Sequence, residues 1–75
     1  MAIGKEQRKK ISDRLPRGSR AEIARRVGMS RMAVCLWFDG KSNSPVIESA
    51  AIDMLEEVTR REKDVNERLR ALLSE

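Results

Sequence analysis

Glycine and proline break this 75-residue chain at three internal places, and what lies between the breaks reads as helix. The breaks are Pro16-Arg17-Gly18, Gly28, and the stretch from Gly40 to Pro45. They leave three short segments, then one uninterrupted run from 45 to 73. With 40% hydrophobic and 37% charged residues, the composition is that of a folded helical protein rather than a disordered or β-rich one. The expected fold is therefore all-α, with a helix in each segment.

Local signals place the helices. Residues 5–15 are good helix formers, with Ile11 and Leu15 one turn apart and Ile3 extending their apolar face. Ser19-Arg20-Ala21-Glu22 has the Ser-x-x-Glu form of a capping box, so Ser19 is predicted to cap a second helix with Glu22 reaching back. Ala21, Ile23, Ala24 and Val27 form the inner side of that helix. Gly28 provides the positive φ of a tight turn, and Ser30 caps a third helix anchored by Val34, Trp37 and Phe38. Gly40 stands where a helix-terminating glycine belongs. Ser44-Pro45, a capping serine followed by proline at the first helical position, opens a helix of about 29 residues, ~43 Å long.

Several functions are excluded by what the chain lacks. There is no histidine, so a Ser-His, Cys-His or His-acid pair cannot form, and no enzyme is expected. Cys35 is alone, which rules out an internal disulfide and a zinc cluster; neither metal nor cofactor is expected. No apolar run approaches the ~20 residues that span a bilayer. The N-terminus turns polar at Lys5 without the apolar core of a secretory signal, so the expectation is a cytoplasmic protein without membrane contact.

Charge is distributed unevenly. Residues 1–41 carry 11 Lys/Arg against 4 Asp/Glu, and residues 42–75 carry 5 against 8, so a net +7 half precedes a net −3 half. Such asymmetry points the first half towards a polyanion. The alternative reading is a basic face that is simply solvated.

Two short helices joined through glycine form a helix-turn-helix when specific spacings are met. Counting from Arg20, the fifth residue is Ala24, small where the second helix crosses, and the ninth is Gly28. The fourth, eighth, tenth, fifteenth and eighteenth are Ile23, Val27, Met29, Val34 and Trp37, all apolar. All seven positions fit, which places the motif at about 19–39.

Residues 28–45, reading GMSRMAVCLWFDGKSNSP, resemble the lambda-repressor/Cro-type helix-turn-helix family, and the likeness extends over roughly 5–55. Phe38 and Asp39 depart from that family's commoner residues before the glycine. The resemblance implies a small bundle of four or five helices that binds duplex DNA as a dimer, with the third helix in the major groove. Ser30, Arg31 and Met32 would then meet base edges, with Cys35 and Leu36 one turn on. Arg31 has two readings: a bidentate pair with guanine, or a phosphate contact. Leu36 likewise either meets a thymine methyl, as Met32 would, or packs on a neighbouring helix. Arg17, Ser19 and Arg20 on one side, and Lys41, Ser42 and Asn43 on the other, are the candidate phosphate contacts. Trp37 is read as core rather than as a stacking platform. No ligand-binding domain fits, so no small molecule is expected.

Residues 1–57 make the DNA-binding unit in this reading, and 58–75 a helical extension. Ile47, Ala51, Met54, Val58, Arg61, Val65, Arg68 and Leu72 follow a 4-3 spacing with two arginines on the seam; a shift after Val65 returns Leu69 and Leu72 to it. Glu57–Arg61 and Asp64–Arg68 stand at the supporting i, i+4 distance. A short lone helix is marginal in water, so Val58, Val65, Leu69 and Leu72 are predicted to pair two copies in a homodimer. The alternatives are a fraying solvated helix, or an adaptor- or antitoxin-like module whose long helix docks on a different protein.

Overall fold

The structure, a computed structural model, describes residues 3–74. Four helices follow one another: α1 (Lys5–Arg14), α2 (Ser19–Val27), α3 (Arg31–Phe38) and α4 (Pro45–Leu73). No strand occurs among the described residues, so the fold is the expected all-α bundle in its four-helix form. No described helix is long and apolar enough to cross a membrane.

Helix α2 packs on α3 and α4, and α1 packs on α3 and α4 across from it. Between them lie Ile11, Leu15, Ile23, Ala24, Val34, Trp37, Phe38, Ile47, Ala51 and Met54. Trp37 and Phe38 meet edge to face with centroids 5.0 Å apart, the geometry favoured by their ring quadrupoles.

The turns follow the glycines. Gly28 has φ 69°, and the Met29 N–H reaches back to the Ala24 carbonyl at 3.0 Å. Gly40 has φ 79°; its N–H bonds the Trp37 carbonyl, and the Lys41 N–H bonds that of Leu36. That pair of bonds is a Schellman close, which ends α3 sharply and aims the following loop away from it. The hydroxyls of Ser30 and Ser44 accept the N–H groups of Ala33 (3.1 Å) and Ile47 (3.3 Å), capping α3 and α4 as expected.

The start of α2 differs from expectation. Gly18, at φ 83°, enters the helix, so Ser19 is already its first residue and not its cap. The buried Ser19 hydroxyl donates to the Pro16 carbonyl, while Glu22 turns outward to Arg25 and Arg26. A left-handed glycine makes the turn that the capping box was expected to make. Ala21, expected inside, is exposed, as are Met29 and Val46.

Helix α4 changes character at Val58. Up to there its inner face is covered, and from 59 to 74 every residue is exposed. The molecule measures 51 × 23 × 18 Å because this second half projects beyond the bundle. Asp64 and Arg68 pair at 3.7 Å as their spacing predicts. Glu57 instead bonds Arg26 of α2 at 2.7 and 3.2 Å, so the expected pair with Arg61 gives way to a tertiary tie. Arg14 of α1 approaches Glu62 at 3.6 Å, where the projection leaves the bundle.

Candidate nucleic-acid interface

Three cations of the basic half gather where α2 begins and α3 begins. Arg17, Arg20 and Arg31 line one hollow of about 270 Å³, floored by Leu15, Pro16 and Phe38. Among the described residues, no carboxylate lies within 4.0 Å of any of the three guanidinium groups. Arg20 is held in place: its Nη2 donates to the Ser12 hydroxyl at 3.3 Å, and its guanidinium lies 4.9 Å from the centre of the Phe38 ring. The first turn of α2 opens here too, and such a turn presents N–H groups without intrahelical acceptors. Guanidinium groups beside a helix start form a surface that favours an anionic oxygen.

Helix α3 borders this hollow through Arg31. Its anchors Val34, Trp37 and Phe38 are buried, its opposite side carries Met32, Cys35 and Leu36, and exposed Arg31 stands in its first turn on the Phe38 side. Met32 is 68% exposed and Leu36 37%, and Cys35 is half-buried. Leu36 thus keeps substantial contact with solvent. The Ser30 oxygen is engaged as the cap of α3, which leaves its O–H as the group free to donate.

About 12 Å of helix separates the hollow from the loop at the far end of α3. Lys41 is exposed there, with its own N–H fixed to Leu36. Ser42 and Asn43 are engaged from behind. The Ser42 carbonyl and Asn43 Oδ1 both accept from Arg8, at 2.9 and 2.8 Å. Of the six candidate phosphate contacts, Arg17, Arg20 and Lys41 therefore offer free cations. Ser19 is turned inward, and the Asn43 side-chain oxygen is already bonded.

Arg8 is the residue that sequence reasoning missed. It is 3% exposed and sits under the loop. Besides Ser42 and Asn43 it donates to the Trp37 carbonyl (2.8 Å) and the Ile3 carbonyl (3.0 Å), with its guanidinium 4.6 Å from the Trp37 ring centre. The Ile3 N–H in turn bonds Glu48 of α4 at 3.0 Å. One buried cation thus joins the N-terminal segment at Ile3, the C-terminal end of α3 and the loop that leads to α4. The partial negative charge at the end of α3 offsets its burial. A signal for it existed: Arg8 stands three residues before Ile11 and seven before Leu15, on the same helical face.

On the projecting half of α4, Val58 is half-buried against the core, while Val65, Leu69 and Leu72 lie exposed on the same side of the helix. Pro16, Val58, Arg61, Glu62, Val65 and Asn66 border an open groove where the projection begins. The structure brings the three arginines and α3 together on one part of the surface, and Arg17 also lines a hollow with Val58 and Arg61, where the projection begins.

Among the described residues, no group of three or more His, Cys, Asp or Glu side chains is placed to hold a metal ion. The Arg26–Glu57 bond holds the Glu57 carboxyl below its ordinary range and raises the Arg26 guanidinium further. No protein-family model, curated protein or solved structure matches the chain.

Proposed function

We propose that this chain is a sequence-specific, double-stranded DNA-binding transcriptional regulator that acts as a dimer, with α3 in the major groove. One observation carries the reading. The outward side of α3 adjoins three arginines that have no carboxylate within 4.0 Å among the described residues. A duplex needs phosphate contacts that flank a helix, together with side chains that reach bases from it. Arg17 and Arg20 grip the backbone on one side, Lys41 on the other, and Arg31 points into the groove between them. The protein acts by occupying a promoter in the cytoplasm and catalyses nothing.

A titration of labelled duplexes at several salt concentrations tests the proposal. Affinity should fall steeply as salt rises, because each neutralised phosphate releases counterions. Arg31→Ala should relax sequence preference, whereas Lys41→Ala should weaken all sequences alike and flatten the salt slope. Lack of duplex affinity even at low salt refutes it.

The exposed stripe of Val65, Leu69 and Leu72 favours a second reading, in which the projection docks on a different protein. Light-scattering mass, with and without a duplex carrying two half-sites, separates the two. A dimer assembled on the duplex supports the first reading. A chain that stays monomeric on every duplex supports the second.

A further inference from the structure

The proposed recognition helix has an unusual surface for reading hydrogen bonds. Between Arg31 at its start and Asp39 at its end, the outward positions are Met32, Cys35 and Leu36. Methionine and leucine have no donor, and a thiol is a weak one. Yet these side chains are not surplus core. Met32 and Leu36 are exposed one helical turn apart, while the buried anchors Val34 and Trp37 fill the other side. The apolar strip is bordered by Arg31 and the Arg17–Arg20 hollow at one end and by exposed Asp39 and Lys41 at the other. A strip that begins beside three arginines matches a polyanion that carries apolar groups, and in the major groove those groups are the 5-methyls of pyrimidines.

We propose that Met32 and Leu36 make this protein a reader of pyrimidine 5-methyl groups: thymine and 5-methylcytosine next to a guanine held by Arg31. This rests on the DNA-binding reading above. Thymine and 5-methylcytosine carry the same methyl and differ at the neighbouring position, where thymine has an acceptor oxygen and cytosine a donor amine. A side chain without hydrogen-bonding groups senses the methyl and is indifferent to that difference. At the positions covered by Met32 and Leu36, the order of preference is therefore thymine and 5-methylcytosine together, above deoxyuridine and cytosine together. Ordinary hydrogen-bond readout would instead separate thymine from both cytosines.

The test starts with duplexes selected by the full chain from a random pool. Each thymine of a selected half-site is then replaced in turn by deoxyuridine, by cytosine and by 5-methylcytosine, the last two paired with guanine. At one or two positions beside the Arg31-dependent guanine, deoxyuridine should weaken binding about fourfold, the change that corresponds to burial of one methyl-sized group, ~0.8 kcal/mol. Cytosine should weaken it similarly, and 5-methylcytosine should restore it. The double variant Met32→Ala, Leu36→Ala, checked for wild-type helicity, should bind thymine and deoxyuridine duplexes alike, while Arg31→Ala keeps the methyl dependence. Deoxyuridine duplexes that bind as tightly as thymine duplexes overturn the inference and leave DNA binding standing. Wild-type affinity and thymine preference in the double variant also overturn it, and assign the apolar strip to a protein partner. Failure to select any duplex overturns the DNA-binding reading itself.

Discussion

Replacing Arg8 by methionine should cost about 3 kcal/mol of stability, set by the hydrogen bonds that are lost. The substitution keeps much of the stem's apolar volume and removes four donated hydrogen bonds, to the carbonyls of Ile3, Trp37 and Ser42 and to Asn43 Oδ1. Two effects oppose each other. Removing a buried charge saves its desolvation, and swapping ion pairs for apolar groups is often neutral. Here, however, no carboxylate leaves with the cation; the acceptors are mostly backbone and stay behind. The Trp37 carbonyl keeps a bond from the Gly40 N–H, and Asn43 lies where water reaches it. The Ile3 and Ser42 carbonyls are only half covered. Counting roughly 1 kcal/mol for each of these three weaker losses, with the saved desolvation cancelling the buried one, gives about 3 kcal/mol. A chain of this size has about 5 kcal/mol in all, so the midpoint of thermal unfolding should drop by roughly 12–24 °C. Arg8→Lys keeps the charge but not the planar fork, and should fall between the two. Melting followed by helical circular dichroism measures both. A methionine variant within 1 kcal/mol of the parent would show that the loop does not depend on this cation.

Gly40→Ala should destabilise by about 1–2 kcal/mol, since φ is 79° and the added methyl meets Lys5 Cγ at 3.3 Å; an unchanged denaturant midpoint would contradict it. Gly28→Ala, at φ 69° in open space, should cost less, about 1 kcal/mol, in the same assay. The Glu57 carboxyl is held below its ordinary range by its bond to Arg26, so its stabilisation is full above the unfolded pKa and fades as pH falls through the folded value. The stability difference between the parent and Glu57→Gln should accordingly shrink below the usual carboxylate range and stay flat above it; melts at a series of pH values read it. Leu69→Glu with Leu72→Glu should abolish dimer formation on a two-half-site duplex without lowering the melting point, because neither side chain touches the bundle.

The helices were legible because each boundary is marked by a residue with a single local job. Gly28 and Gly40 take up positive φ, Ser30 and Ser44 cap, and Pro45 fits the first helical position. The seven-position spacing placed Val34 and Trp37 in the core for the same reason: helical period fixes which side a residue takes. What stayed hidden depends on the third dimension. Ser19 fits a capping box by pattern, yet the turn through Gly18 begins the helix one residue earlier and folds the hydroxyl under Pro16. Glu57 has Arg61 within reach on its own helix, but Arg26 arrives from α2 with a better bidentate fit. Arg8 has the right period for the core and the wrong chemistry for it. Its partners become visible only when carbonyls 29 and 34 residues away are brought beneath it.

The projecting half of α4 connects size to function in the proposed dimer. Val65, Leu69 and Leu72 are 52, 51 and 77% exposed. Pairing two copies would cover six such side chains, at roughly 1–1.5 kcal/mol for what each still exposes, or about 8 kcal/mol in all. Losing the freedom of a separate molecule costs about 4–15 kcal/mol, so the stripe alone leaves association near break-even. Arg61 and Arg68 flank the stripe and add little, because exposed charges are well solvated. Two adjacent half-sites alter this balance, since holding both copies on one duplex raises their mutual concentration to about the millimolar range. On this account the dimer forms on DNA rather than before it. Binding to a paired site is then steeply dependent on protein concentration and binding to a single half-site is not. Lengthening the spacing beyond what the two projections can span removes the steepness, while each half-site keeps its own affinity.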